Sequence, residues 1–229
     1  MSENDSSIDQ SLAPLLVDLL GFRTEFVANV FNEPLFNSRA EPLLEELLEI
    51  DRRGALHSIR TAELIADLAS RDSAFTPARI TQLTRAALVH DVGKLKVPSE
   101  ILNSPDTLSP EQRLEIRKHV RYGRDLLLEV GLSREAMVAF GHHKLGRDQY
   151  PSDDEFNPAT LRDLNLEEDI RLVNMVDIID ATRYPRVYRG DPISREVLYQ
   201  ELDPFFSHDL LVKGLDAHLS IYTGAYEDK

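Results

Sequence analysis

The 229-residue sequence contains no cysteine, which excludes disulfide bridges and thiolate metal sites and suits a reducing compartment. It also has no apolar run near the ~18 residues that a membrane-spanning helix needs. Residues 1–7 are acidic and polar, whereas a signal peptide begins with basic residues. With 42% hydrophobic and 29% charged residues, the composition is that of a globular protein, and we expect it in the cytoplasm, away from membranes.

Positive charge is scarce as well, because 26 Lys and Arg stand against 40 Asp and Glu and give a formal net charge of −14. A field of this sign repels DNA, RNA and anionic lipid surfaces, so nucleic-acid binding is not expected. A small phosphorylated substrate remains compatible with this charge if lysines, arginines or bound metal ions gather positive charge locally.

Apolar residues recur at helical spacing along the chain, and strand-like alternation is absent. We therefore predict an all-α fold, with an N-terminal helical extension over residues 1–50 and the main domain over 51–229. In the extension, Pro34 and Pro42 are expected to separate two or three lead-in helices. The other predicted helices cover residues 54–70, 77–90, 109–130, 133–140 and 165–182, followed by two terminal helices.

Local signals predict where several of these helices begin and end. Gly93 is expected to stop the helix that starts at Pro77. Ser109 opens a capping box, and serines are also expected to cap the last helices. The predicted capping serines other than Ser109 are Ser133, Ser194 and Ser207.

Histidines and aspartates are distributed in a way that suggests a metal site. His90 and Asp91 are adjacent at a predicted helix end, and His142 and His143 follow another helix. Asp177 lies in the most apolar helix, where an unpaired carboxylate would cost several kcal/mol, so a metal partner explains it. Taken singly, the histidines are more often ordinary core or surface residues than metal ligands, and Asp177 is compatible with either role.

His57 and His119, each predicted in the middle of a helix, extend a candidate ligand set made of nitrogen and oxygen atoms. Such a set suits Fe, Mn, Zn, Co or Ni rather than Mg or Ca. Two ions ~3.5–4 Å apart need a bridging ligand, which a carboxylate can be and an imidazole cannot, so Asp91 is the expected bridge. Lys94, one turn beyond His90, can place its ammonium beside a substrate phosphate.

At these residues the sequence resembles the HD superfamily, and within it the HD-GYP family of cyclic di-GMP phosphodiesterases. The stretch His90-Asp91-Val92-Gly93-Lys94-Leu95-Lys96-Val97-Pro98 is close to the family signature, and the resemblance covers about residues 50–222. Further matches at the family's spacing are Ile101-Leu102, Leu108-Ser109-Pro110-Glu111, Ile116, His119, Gly123, His142-His143, Tyr150-Pro151, Val176-Asp177-Ile178, Asp180-Ala181 and Arg186-x-Tyr188-Arg189.

The resemblance implies an HD-domain helical bundle with two divalent transition-metal ions, Fe or Mn being favoured and Zn, Ni or Co being alternatives. It implies Asp91 and Lys94 as catalytic residues. A third ion, which some relatives bind through a Glu one turn before the first histidine, is not expected because Arg53 stands there. The implied substrate contacts are Lys94, Tyr150, Arg186 and Arg189. The implied metal ligands are His57, His90, Asp91, His119, His142, His143 and Asp177.

The chain departs from the family pattern after the histidine pair. The family usually has Glu there, followed by Asp-Gly-x-Gly-Tyr-Pro, whereas this chain has Lys144, a loop one residue shorter, and Gln149 before Tyr150. Tyr150 is expected to present its ring to a guanine base, although the loop backbone must change if glycine supplied a positive φ. The metal site is expected to be intact, so the departure bears on substrate identity and turnover.

The expected activity is hydrolysis of cyclic di-GMP to linear pGpG, GMP or both, by in-line attack of metal-activated water on phosphorus. Two alternatives stay open. The domain could bind a cyclic dinucleotide or a partner protein without catalysis, or it could hydrolyse another nucleotide. Retention of all seven implied ligands favours catalysis, and a homodimer is compatible with the sequence.

Overall fold

The computed structural model describes residues 27, 29–30, 33–145, 149–156, 166–183 and 194–222, and these contain helices and no β-strand. The all-α prediction is confirmed. None of the described helices is long and apolar enough to cross a membrane. In chain order the helices are α1 (Pro34–Ile50), α2 (Arg52–Ser70), α3 (Pro77–Val89), a 3₁₀ helix (Val92–Lys96), α4 (Ser99–Leu102), α5 (Pro110–Arg117), α6 (His119–Glu129), α7 (Ser133–Gly141), α8 (Glu167–Arg183), α9 (Arg195–Leu202) and α10 (His208–Tyr222).

Helix starts follow local capping chemistry. The Ser109 side chain accepts the Gln112 amide, and the Gln112 side chain accepts the Ser109 amide, which completes the predicted capping box of α5. Ser194 and Ser207 accept backbone amides in the first turns of α9 and α10, so these caps are confirmed too. The predicted cap at Ser133 is wrong, because this residue already lies inside α7. Leu132 stands at the N-cap position and makes no side-chain hydrogen bond there.

The predicted interruption at Pro42 is wrong, because this proline lies inside α1. It removes one amide donor, which leaves the Ser38 carbonyl without its regular partner. Both residues are exposed, so water can satisfy that carbonyl. The opposite face of α1 is buried and holds the helix in place through Phe36, Ala40, Leu44 and Leu47.

Two other helix limits differ from the prediction. The expected helix over residues 109–130 is divided at Lys118 into α5 and α6. The helix from Pro77 ends at Val89, and Gly93 lies in the following 3₁₀ helix rather than stopping an α-helix. A Cβ at Gly93 would lie 1.9 Å from the His119 carbonyl oxygen, so glycine is required here because the α6 backbone passes so close.

One hydrophobic core joins the helices and fixes the relative positions of the segments that carry the histidines. Helix α2 packs against α1, α3, α8 and α10, while α6 packs against α7 and the 3₁₀ helix. Phe36 of α1 belongs to the same core as Leu64 of α2 and Val176 of α8. The division between residues 1–50 and 51–229 stays a prediction, and the lead-in helices predicted before residue 27 lie outside the described residues.

Candidate metal centre

All seven implied metal ligands lie in the described part of the chain, and the structure brings their side chains together. They belong to α2, α6 and α8 and to the segments that follow α3 and α7. Six of them are buried, and His143 is partly buried. Their ligand atoms form three overlapping groups, each with all atoms within 4.8 Å: His57, His90 and Asp177; His90, Asp91 and His142; His119, His142 and His143.

Three of the histidines lie directly after helix ends. His90 follows α3, His142 follows α7, and His119 stands just after the break that ends α5, not in the middle of a helix as predicted. Each ring Nδ1 lies 2.7 Å from the backbone carbonyl oxygen three residues earlier. These carbonyls belong to last helical turns, where regular intrahelical donors are missing. The three acceptors are Ala87, Ile116 and Ala139.

This arrangement fixes which ring nitrogen is available to an ion. A carbonyl oxygen can only accept, so each Nδ1 donates its proton and each neutral ring carries its lone pair on Nε2. Last helical turns also carry partial negative charge, which favours a cation nearby. The three helix ends therefore select the tautomer and the electrostatic environment that a metal centre needs.

The Asp91 carboxylate lies between two of the ligand groups. Its Oδ1 is 3.3 Å from His119 Nε2, whereas its Oδ2 is 3.5 Å from His90 Nε2 and 3.9 Å from His57 Nε2. The two oxygens thus face different imidazoles, which is the geometry a bridging carboxylate requires. The Lys94 ammonium lies 2.5 Å from Oδ2 of the same carboxylate.

His57 is held between two aspartates of α8. Its Nε2 lies 2.8 Å from Asp177 Oδ1, and its Nδ1 lies 2.7 Å from Asp180 Oδ2. Arg60 donates two hydrogen bonds to the Asp180 carboxylate, at 2.8 and 2.9 Å. Sequence reasoning assigned no role to Asp180 or Arg60. A signal was present, since each stands three residues after a candidate ligand and so on the same helical face.

Burial sets the protonation states of the three histidines at helix ends. It lowers the pKa of His90, His119 and His142, and that of His119 falls to about 4, so all three rings are neutral at pH 7. Burial opposes ionisation of Asp91, but Lys94 and the neighbouring imidazoles hold the pKa of Asp91 well below its usual range. Neutral imidazoles and ionised carboxylates are the forms that bind metals.

His57 differs from His90, His119 and His142 in the direction of its pKa shift. Burial acts to lower its pKa, but hydrogen bonds to Asp177 and Asp180 outweigh that effect and raise it. Burial likewise opposes ionisation of Asp177, yet the bond to His57 lowers the Asp177 pKa. The His57 Nε2 proton therefore stands between two atoms that can both ligate a cation, and a bound ion would replace it.

The buried Nε2 of His90 bears on whether these donor atoms fit a metal ion. His90 Nε2 is fully buried and has no hydrogen-bond partner among the residues that the structure describes. An unsatisfied buried acceptor costs about 1–3 kcal/mol, which coordination of a cation would offset. The all-nitrogen-and-oxygen donor set suits a divalent transition metal. The residues present therefore fit such an ion.

Of the predicted substrate contacts, Lys94 and Tyr150 lie within the described residues. The Tyr150 ring stacks on the His143 ring, with centroids 4.5 Å apart and planes inclined by 24°. Arg117 Cζ lies 5.1 Å from the Tyr150 centroid. Arg186 and Arg189 lie outside the described residues, and their contacts stay predictions.

Gln149, the residue before Tyr150, has a positive φ although it is not glycine. It adopts φ 52°, the left-handed conformation that glycine usually supplies, so the sign of φ does not depend on glycine here. For a residue with a Cβ this conformation costs roughly 1–2 kcal/mol, which surrounding contacts must offset.

Comparison with known proteins agrees with this geometry. The HD domain family matches residues 54–184. A cyclic di-GMP phosphodiesterase of Vibrio cholerae is 29% identical over 181 residues, covering 73% of this chain and 34% of the relative. The 3′3′-cGAMP-specific phosphodiesterase 3 of the same organism is 32% identical over 160 residues, covering 65% of this chain and 32% of the relative. The chain thus spans about a third of the length of these relatives.

A solved structure supports the fold. The HD domain of the L. monocytogenes phosphodiesterase PgpH, in complex with cyclic-di-AMP, aligns with a TM-score of 0.54 and 19% identity. The alignment covers 82% of this chain and 98% of that one. The family match over residues 54–184, which covers more than half of the chain, shows that the chain belongs to the HD domain family.

Proposed function

We propose that the protein is a metal-dependent phosphodiesterase that hydrolyses a cyclic dinucleotide, with cyclic di-GMP as the first candidate and linear pGpG, GMP or both as products. The observation that carries this proposal is the convergence of seven imidazoles and carboxylates, Asp91 among them, in one buried region. The names of the relatives, which include cyclic di-GMP and 3′3′-cGAMP phosphodiesterases, support the same substrate class.

The grouping of ligand atoms supports two ions per chain, and Asp91 would be a ligand to both. Fe or Mn is favoured, with Zn, Ni or Co as alternatives. When bound, such ions supply Lewis-acid activation of water and of the phosphodiester. His57, His90 and Asp177 would hold one ion, and His119, His142 and His143 would hold the other.

The chain's own residues would orient the reaction. Lys94 lies beside the proposed bridge, so its ammonium can donate to a phosphate oxygen and stabilise negative charge that develops on phosphorus. Asp180 accepts a hydrogen bond from His57 Nδ1–H and so keeps Nε2 facing the site. Tyr150, Arg186 and Arg189 are the proposed contacts to the base and phosphates of the substrate.

Product analysis tests the proposal directly. The purified chain, loaded with Mn²⁺ or with Fe²⁺ under anaerobic conditions, is incubated with cyclic di-GMP, and the products are separated by chromatography. We expect linear products, and loss of both metal and turnover in His90→Ala and Asp91→Ala. His208→Ala is the matched control, because this histidine is exposed and contacts Tyr199 rather than any implied ligand. Unchanged turnover in Asp91→Ala would contradict the mechanism.

A second substrate, 3′3′-cGAMP, deserves the same assay because its specific phosphodiesterase is 32% identical to this chain over 160 residues. The loop departure at Lys144 and Gln149 concerns the region where a base would be recognised. Faster turnover of 3′3′-cGAMP would assign the specificity to the mixed dinucleotide. Tight binding of either dinucleotide without product would favour the alternative of a sensor domain.

A further inference from the structure

Lys144 directly follows the His142–His143 pair, and its side chain is nearly buried. The side chain is 9% exposed, whereas that of its partner Asp153 is 78% exposed. Its Nζ donates to the Pro151 carbonyl oxygen at 2.8 Å and lies 2.5 Å from Asp153 Oδ1. A buried ammonium is costly without partners. These two acceptors explain why the chain can place a lysine here.

The Pro151 carbonyl is informative because of its neighbours in the sequence. Pro151 follows Tyr150, and Lys144 follows His143. The ring of Tyr150 stacks on that of His143, and the side chain of Lys144 binds the backbone of Pro151. The neighbouring residues His143 and Lys144 are therefore joined to the neighbouring residues Tyr150 and Pro151 by one aromatic and one polar contact.

Apart from Asp153, which pairs with Lys144, residues 152–156 have anchors that do not involve this lysine. Arg121 forms an ion pair with Glu155, and Glu155 accepts hydrogen bonds from the amide and hydroxyl of Ser152. Phe156 is buried against Phe140, with ring centroids 5.0 Å apart. These contacts hold residues 152–156. The bond from Lys144 acts one residue from Tyr150, at the end of the segment nearest the metal centre.

We propose that Lys144 is a positioning residue: its bond to the Pro151 carbonyl holds the Tyr150 ring against His143, and thereby sets how the site receives its substrate. The same bond helps to offset the strain of Gln149, which adopts φ 52° next to Tyr150. The catalytic consequence rests on the proposed function. The placement of Tyr150 does not, and it can be tested without turnover.

Fluorescence provides that test, because the sequence contains no tryptophan. Tyr150→Trp introduces a single indole at the stacked position, and acrylamide quenching then reports its protection. Adding Lys144→Met, which keeps an unbranched apolar side chain but removes the ammonium, is expected to raise the quenching constant at least about twofold. A hydrogen bond of this kind changes the equilibrium constant between the stacked and the exposed ring by roughly fivefold. Its loss should therefore expose the ring measurably. Lys144→Arg, which retains donors, should restore protection.

Lys213→Met is the matched control, because it removes an ammonium from the surface of α10. It should leave the quenching unchanged. Equal quenching with and without Lys144→Met would overturn the proposal, as would an equal rise in Lys213→Met. If Lys144→Met does not fold, as judged by circular dichroism, Lys144→Gln gives the same comparison with a shorter side chain.

Kinetics then test the consequence for catalysis. Lys144→Met should raise KM for the cyclic dinucleotide by about fivefold while kcat changes less than about twofold and the metal content stays constant. Combined with Tyr150→Leu, it should add nothing to the effect of Tyr150→Leu alone, because the lysine acts through the tyrosine. Additive effects would overturn the positioning role. Absence of turnover in the wild-type chain would instead contradict the proposed function and leave the fluorescence test decisive for Lys144.

Discussion

Replacing Gly93 with alanine adds one methyl group at a very close backbone contact beside the metal centre. The new Cβ would stand 1.9 Å from the His119 carbonyl oxygen and 2.3 Å from the Gly123 amide nitrogen, whereas ordinary van der Waals contact begins at 3.4 Å. Both neighbours are backbone atoms and cannot rotate away. The 3₁₀ helix and α6 must therefore separate by about 1.5 Å (3.4 − 1.9) at this point.

That separation also moves the ligands apart. His119 Nε2 and Asp91 Oδ1 face each other across this contact at 3.3 Å. Metal–ligand distances tolerate only about 0.2 Å. We therefore expect Gly93→Ala to lose the ion assigned to the His119 group, so that the metal content falls from about two ions per chain to about one or fewer. Overpacking should also destabilise the fold by about 1–3 kcal/mol, which lowers Tm by roughly 2–4 °C per kcal/mol.

Elemental analysis of the purified variant and a thermal unfolding curve measure both effects. Gly123→Ala is the matched control in the same contact, because its Cβ would meet the Gly93 amide nitrogen at 3.3 Å and needs only a few tenths of an ångström of adjustment. It should retain both ions. Gly93→Ala with wild-type metal content and Tm would refute the reasoning.

Three further predictions concern other parts of the structure. Asp180→Asn replaces the carboxylate that accepts the hydrogen bond from His57 Nδ1 with a neutral amide. The metal affinity, measured by chelator competition, should therefore fall about 10–100-fold. Ser109→Ala breaks the capping box of α5, and denaturant unfolding should show a loss of about 0.5–2 kcal/mol. The bond from Arg121, with two hydrogen bonds from Ser152, lowers the pKa of Glu155 to about 2, so these contacts stabilise the fold above the ordinary carboxyl pKa and are lost as pH falls through about 2. Arg121→Met should raise the NMR titration midpoint of Glu155 towards the ordinary range, while the Ser152 bonds still hold it lower.

The parts of the fold that the sequence predicts well depend on local chemistry. The capping box at Ser109 involves residues three apart, and its hydrogen bonds form whatever lies beyond the helix. Pro42 does not end its helix, because water can bind the exposed carbonyl that lacks a donor and the buried face of α1 holds the helix in place. The break at Lys118, which frees the turn that His119 uses, has no comparable local signal.

The candidate site is predictable for a different reason. His57 and Asp177 are 120 residues apart, so no local rule brings them together, and their pairing came from family resemblance. The residues that support them are harder to predict. Asp180 and Arg60 acquire their roles only when α2 packs on α8. Lys144 departs from the family pattern, and only the folded loop shows that its side chain binds the Pro151 carbonyl.

Anomalous diffraction from crystals of the metal-loaded chain tests the central claim most directly. The account predicts two peaks ~3.5–4 Å apart on either side of the Asp91 carboxylate, one beside His57 and the other beside His119. A single peak, or metal bound away from Asp91 in a correctly folded chain, would contradict it.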